Sequence, residues 1–593
     1  MIEMDPEVEI VEVLRTVINE VVANAHEPPT GGLFAEKNTG IGYKIGNSCC
    51  PKKRVTNRSV LRNMAFIEIT AVKEHISRIP LYLMLFILAA FMASVSSLIS
   101  VLLTKSQGST TSTFKRFIDG YPNSLELLFI IVPCGFTLIV GLINYFFFGT
   151  AGSGIPLVMS VLEDMSVEQR ALEGIEPLPF EDQALHREYI DQVFGLQIKK
   201  LLGVRILVGK FGLTLFGLLL GASIGIEGPT VQISTCVFYE LSKWCLKYIP
   251  TFRRLVFKTP QTRLMFVKGI ACAGGASGIA AAFNTPLGGI FFAMEEMGDN
   301  FEIHSHELVF TTVCVSGFVS YIFMGAYTYF GQTSQGFDAI TVSYAVTALF
   351  CMFVGGILGG LWGYGMLVAM TFKARIPIIA QHPYVLAFVM GICFAAVSYA
   401  TNGEVLLSGY SNVRYVLNNN TAYCLSNETQ ASSSFQLMSP GYGFAKQLAT
   451  YFSYWAGISG GIFSPALASG AGWGQLFYCS VISKWYPETD SSIVTLLFMQ
   501  GYFSGVTQSP LTAYSILSAA IDIGGDSTAI HFTMLSVSIG AALVSKLVMR
   551  ISLYEGLAMV GLPKVPVECL AKTMIELRKL EGKRVKIGDF KYV

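Results

Sequence analysis

The chain has 593 residues, 52% of them hydrophobic and only 14% charged, with a mean hydropathy of +0.53. That profile excludes an ordinary soluble domain, and a formal net charge of +1 leaves no electrostatic footprint for nucleic acid or an acidic substrate. The 12 cysteines are scattered, mostly inside apolar runs, and no C-x-x-C pair occurs, so neither a zinc site nor a disulfide framework is readable.

Residues 1–78 are polar and read as a cytosolic N-terminal region. No apolar h-region lies at the N-terminus, so no cleavable signal peptide is expected. Lys52, Lys53, Arg54, Arg58, Arg62, Lys73 and Arg78 crowd the approach to the first apolar segment, which places the N-terminus in the cytosol by the positive-inside rule.

Apolar segments follow at about 79–104, 125–148, 203–221, 264–283, 307–331, 341–371, 383–400, 444–458, 466–483, 493–504 and 530–549. Some are too short, or too broken by glycine, to span a bilayer alone; others exceed the usual span and can tilt. The expectation is an all-α polytopic membrane protein. Residues 164–200, with Pro177 and Pro179, read as a solvated cytosolic loop. Residues 402–443 read as a polar loop on the outer or lumenal face, with one basic residue, Arg414. That loop carries the sequons Asn419-Asn-Thr421 and Asn427-Glu-Thr429, whose glycosylation is conditional on a eukaryotic source. His304-Ser-His306 lies in a polar connector without further ligands and reads as a turn, not a metal site. Residues 564–593 form a basic cytosolic tail, and two cytosolic ends require an even number of crossings.

The stretch Gly221-Ala-Ser-Ile-Gly-Ile-Glu-Gly-Pro-Thr230 sets Glu227 between an apolar run and a new helix, with Pro229 suited to its first turn. Gly152-Ser-Gly-Ile-Pro156 and Gly460-Gly-Ile-Phe-Ser-Pro465 share this grammar. Three helix N-termini in broken apolar segments describe a membrane anion site. Glu227 alone reads either as a helix cap in a glycine-rich turn or as a functional carboxylate. A charge at the bilayer centre costs about 2.5–3.5 kcal/mol on insertion scales, which favours function. Glu295-Glu296 closes the apolar helix Leu287 to Met294, and from the residues alone it reads as a solvated helix end at the cytosolic boundary.

The motifs also repeat. Gly225-Ile-Glu-Gly-Pro229 recurs as Gly461-Ile-Phe-Ser-Pro465, 236 positions on (461 − 225). Asn284-Thr-Pro-Leu287 recurs as Gln508-Ser-Pro-Leu511, 224 positions on (508 − 284). Two related halves follow, with a boundary near residue 335.

The three glycine-proline motifs, with the late Tyr554, resemble the CLC family of chloride channels and chloride/proton exchangers, from about Pro80 to about Pro563. The resemblance implies a transport domain over 79–563, built as an inverted repeat of tilted and re-entrant helices. It implies a homodimer in a lipid bilayer exchanging chloride for protons, with no cofactor and no enzymatic step. Glu227 would be the external gate and proton acceptor, and Glu296 the internal proton-transfer residue. Chloride would meet the Ser153 hydroxyl, the Tyr554 phenol and the backbone N–H groups of Ile462 and Phe463. Gly152, Gly154, Pro156, Gly225, Gly228, Pro229, Gly461 and Pro465 would shape the three helix starts. Serine at 153, where family members with a nitrate preference carry proline, implies chloride. Channels of the family generally replace the glutamate matched by Glu296, so a passive chloride channel is the alternative. A membrane enzyme or receptor would need a polar catalytic cluster or a soluble domain, and neither is readable. Two departures stand out. Ile226 sits where most members place Lys or Arg, which would remove a cation from the outer vestibule, and only about 30 residues follow the last motif, as in short members without paired CBS domains.

Overall fold

The computed structural model describes residues 57–162, 201–250, 260–297, 306–325, 327–333, 341–376, 381–420, 422, 424, 438–523 and 528–561. The insert at 164–200, His304, Asn427 and the tail at 564–593 lie outside the described residues. The chain divides into a unit Met1–Ser77 and a unit Arg78–Val593, and the packing and the site described below lie in the second.

The helices are α1 (Asn57–Gly120), α2 (Ser124–Tyr145), α3 (from 155), α4 (Val204–Leu219), α5 (Glu227–Tyr248), α6 (Pro260–Phe283), α7 (Pro286–Glu295) and α8 (His306–Met324). After a short strand β1 (Gln332–Thr333) come α9 (Val342–Arg375), α10 (Pro383–Ala400), α11 (Tyr410–Asn419), α12 (Tyr442–Ala456) and α13 (Phe463–Phe477). Then follow α14 (Ser491–Thr507), α15 (Pro510–Ala520), β2 (Asp522–Ile523), α16 (Thr528–Ser545) and α17 (Leu553–Gly561). Among the described residues, seven helices are long and apolar enough to cross a membrane. Helix is what an apolar segment must form in lipid, because only there does it satisfy its own backbone donors and acceptors. Large apolar side chains stay exposed along α1 (Phe86, Phe91), α8 (Phe318, Ile322) and α10 (Val385, Val389), where a hydrocarbon solvent would meet them.

Helices α1–α8 recur in order as α9–α16. The starts of α5 and α13 lie 236 residues apart (463 − 227), those of α3 and α11 lie 255 apart (410 − 155), and those of α7 and α15 lie 224 apart (510 − 286). Equivalent helices meet across the repeat, α2 with α10 and α7 with α15. The equivalent segments at Gly225 and Gly461 run antiparallel, each amide donating to the other's carbonyl at 2.8 and 2.7 Å. The turns that open α7 and α15 match in detail. Asn284 (φ 55°) and Gln508 (φ 59°) are both left-handed, and Pro286 and Pro510 each begin a helix.

The core is built on close backbone approach. All of α14 is buried. It lies against α9, where a methyl group on Gly505 would fall 2.8 Å from Gly356 O. Small residues at such crossings replace a hydrophobic driving force that lipid cannot supply.

Two expectations change here. The stretch 402–443 is not only a loop, because α11 occupies ten of its residues. Its face towards the protein is mainly apolar (Val413, Val416 and Leu417 buried, with Asn412 beside them) in a sequence otherwise too polar to stand out. A disulfide also joins Cys424 to Cys479 across 55 positions, a pairing that spacing could not reveal.

Candidate functional site

Three helix starts converge, and the backbone stitches them together. Gly460 N–H donates to Gly152 O at 3.0 Å, beside the Gly225–Gly461 pair. The approach is too close for side chains: a methyl group on Gly228 would lie 2.2 Å from Ser153 Oγ, and one on Gly461 would lie 2.8 Å from Gly228 N. Gly152 (φ 66°) and Gly154 (φ 94°) take left-handed conformations that turn the chain into α3 just ahead of Pro156. The motif glycines are thus the reason three N-termini can share one point.

Ser153 is 1% exposed, and its Oγ has no hydrogen-bond partner in the structure. A buried hydroxyl without a partner costs free energy unless something binds there. Ile462 caps α13 and Phe463 begins it, so their N–H groups have no intrahelical acceptor. Tyr554, 1% exposed, stacks on Phe463 with centroids 5.5 Å apart and a 19° interplanar angle. Ser153 (through Gly228 and Gly461) and Tyr554 (through Phe463) therefore both lie against the start of α13. Pro465 and Pro229 each sit third in their helix, where their missing N–H removes one of the orphan donors.

Glu227 is the first residue of α5 and is 0% exposed. Its Oε1 accepts a hydrogen bond from the Tyr410 hydroxyl, and Ser464 Oγ lies 2.6 Å away. Ser464 Oγ also lies 2.7 Å from the Tyr410 oxygen, so its single proton serves one of the two. Oε2 has no partner and rests over the bare Cα of Gly225, where a methyl group would fall 2.2 Å from it.

Glu296 is not a solvated helix end. It caps α7, is 7% exposed, and accepts a hydrogen bond from Ser509. Glu295 has a separate task. Its two oxygens accept from Leu511 N (2.9 Å) and Thr512 N (2.8 Å) at the start of α15. A carboxylate is favoured there by the free N–H groups and the helix dipole. Two acids at the C-terminal end of α7 meet the unfavourable end of that helix's dipole, and for Glu295 the N-terminus of α15 offsets it.

Ile226 corrects another expectation. It is 0% exposed and belongs to the apolar cluster that also holds Ile224, Ile233 and Ile458, so this position faces the apolar core and not an aqueous vestibule. Sequence reading also missed Tyr410 and Ser464, the two hydroxyls at Glu227. The signal for Tyr410 was the recurrence of Ser153-Gly154 as Ser408-Gly409, 255 positions on (408 − 153). Among the described residues, no group of three or more His, Cys, Asp or Glu side chains could hold a metal.

A family model described as voltage gated chloride channel matches residues 135–546. The chain is 27% identical over 298 residues to the H(+)/Cl(-) exchange transporter ClcA of Vibrio cholerae, covering 49% of this chain and 57% of the relative. It is 25% identical over 357 residues to Chloride channel protein C of Dictyostelium discoideum, covering 52% of this chain and 46% of the relative. The chain thus spans about half the length of these curated relatives. Among solved structures, a slow cyanobacterial Cl-/H+ antiporter superposes with a TM-score of 0.59 at 17% identity, over 81% of this chain and 98% of that one. A eukaryotic CLC transporter superposes with a TM-score of 0.55 at 16% identity, over 81% of this chain and 74% of that one. These likenesses show the fold.

Proposed function

Because this chain belongs to the voltage gated chloride channel family, we propose that it is a chloride/proton antiporter of the lipid bilayer. The observation that carries the reading is the buried Glu227 carboxylate at the meeting point of helix N-termini, with a second buried carboxylate, Glu296, beyond it. A half-charge on a helix end about 4 Å from an anion, at an effective dielectric of about 20, contributes roughly 2 kcal/mol. Three such ends together contribute roughly 6 kcal/mol towards the cost of dehydrating one chloride.

In this scheme chloride takes the Ser153 hydroxyl, the Tyr554 phenol and the N–H groups of Ile462 and Phe463. Glu227 competes for the same donors while charged and leaves them when protonated, so it is both gate and proton carrier. Glu296 supplies its proton from the other side. The transport domain is residues 79–563, in two halves that join near 335, and the working unit is a homodimer with both termini in the cytosol. The Cys424–Cys479 disulfide favours an outer or lumenal position for 402–443, because disulfides persist in oxidising compartments.

The passive-channel reading draws its support from names: relatives called chloride channels, the Dictyostelium protein among them, and the description of the family model. Purified protein in proteoliposomes separates the two. An imposed chloride gradient should drive protons uphill; chloride flux without proton movement would leave a channel.

A further inference from the structure

We propose that Tyr410 is a positioning residue for anion exchange, whose hydroxyl latches the Glu227 carboxylate in the anion path and so sets how readily chloride displaces it. The proposal rests on Glu227 acting as the gate.

Tyr410 begins α11, the repeat equivalent of α3. The turn before α11 copies the Ser153 turn: Leu407 (φ 62°) and Gly409 (φ 88°) match Gly152 (φ 66°) and Gly154 (φ 94°), each 255 positions on (407 − 152; 409 − 154). At the next position the halves diverge. The first half has Ile155, which cannot donate a hydrogen bond, and the second has Tyr410. Ser464 likewise stands where the first half has Gly228, 236 positions back (464 − 228). Both hydroxyls on Glu227 therefore come from the second half, at positions where the first half carries none. The repeat turn that leaves Ser153 unpartnered becomes, in its copy, the turn that restrains the carboxylate.

The tyrosine is held where it stands. Its ring lies 5.2 Å from those of Tyr329 and Phe330. The far end of α11 is tied to the same segment, where Asn418 Oδ1 accepts from Gln332 N at 2.7 Å. A donor fixed by its neighbours loses little conformational freedom in bonding, so its hydrogen bond favours the carboxylate-in state. Oε2 has no such partner, so the restraint acts through one oxygen and can be released by one rotation.

The test is chloride binding by isothermal titration calorimetry, with chloride titrated into purified protein in isethionate buffer. Tyr410→Phe keeps the ring and removes the donor. A hydrogen bond to a charged group is strong enough that its loss should tighten apparent chloride affinity about tenfold, equivalent to about 1.4 kcal/mol. Tyr410→Ile, matching the residue of the first half, should shift affinity in the same direction. In a Glu227→Ala background neither substitution should change affinity, because no carboxylate remains to restrain. An unchanged affinity in the Glu227 protein, or the same shift in both backgrounds, overturns the latch. A shift confined to the Glu227 protein supports it even if proteoliposomes reveal no proton movement, in which case antiport fails and the latch stands.

Discussion

Lys210 and Lys446, 236 positions apart (446 − 210), make the same pair of bonds in the two halves of the molecule. Lys210 Nζ donates to Thr150 O at 3.0 Å and to Gly152 O, and Lys446 Nζ donates to Val405 O at 2.8 Å and to Leu407 O. Both side chains are fully buried, and the two carbonyl pairs are themselves 255 positions apart (405 − 150; 407 − 152). Each Nζ thus clamps the turn that leads into a motif helix, one carrying Ser153 and the other Tyr410. The repeat preserves the supports of the site as well as its helix ends.

Replacing either lysine with methionine should leave two buried carbonyls short of a donor while roughly keeping volume. An unsatisfied buried polar group costs about 1–3 kcal/mol, less whatever desolvation of the ammonium is recovered. Lys210→Met and Lys446→Met should each lower the thermal midpoint of the detergent-purified protein, and Lys210→Met should also weaken chloride binding at Ser153. Unchanged midpoints in both would mean that the glycine conformations alone hold the turns.

Ser153→Pro should raise nitrate occupancy relative to chloride. The substitution removes the buried, unpartnered hydroxyl that the proposed site would offer an anion. Reversal potentials under mixed chloride and nitrate read the outcome, and an unmoved potential rules out Ser153 as a selectivity ligand.

Ile226→Lys should destabilise the protein and leave capture of external chloride no better. The position is 0% exposed within an apolar cluster, so the new ammonium would be buried in apolar surroundings, which costs several kcal/mol. Loss of expression or a lowered midpoint is the expected result. A stable variant with tighter external chloride affinity would put residue 226 back at the vestibule.

These cases mark what could be read from the chain. The helix starts were legible because glycine and proline carry backbone instructions in their chemistry, and the repeat because Gly225 and Gly461 sit in matching strings. What stayed hidden depended on long-range partners. Tyr410 lay in a stretch too polar to announce a helix, and its meaning comes from Glu227, 183 positions away (410 − 227). Ile226 was read from a family pattern, whereas its burial is set by side chains from other segments. Glu295 read as part of a solvated helix end, because the amides of α15 that engage it come from 216 and 217 positions away (511 − 295; 512 − 295).

Glu227→Gln should abolish proton coupling and leave chloride movement insensitive to pH. The amide oxygen can still accept from Tyr410, so the side chain keeps a place in the site but carries no charge and no titratable proton. Proton pumping retained in this variant would sink the mechanism.

Glu296→Gln separates exchanger from channel. Glu296 lies at the end of α7, is buried, and is held by Ser509 just before α15; none of the three helix starts of the proposed anion site belongs to α7. Removing its charge should therefore leave chloride binding near Ser153 intact while cutting the proton supply to Glu227. The neighbouring Glu295 cannot substitute, because both its oxygens are engaged by the amides that open α15. Chloride transport should persist at a reduced rate, with uphill proton movement lost. Ser509→Ala, which frees Glu296 without deleting it, should slow coupled transport and keep the coupling. Glu295→Gln should act differently again: it weakens the charge at the start of α15 and lowers stability by about 0.3–1 kcal/mol, with coupling kept. Measured side by side in proteoliposomes, the three variants assign proton transfer to one carboxylate only if coupling is lost in Glu296→Gln alone. If Glu296→Gln pumps protons as well as the parent does, Glu296 is a buried cap and the internal proton path runs elsewhere.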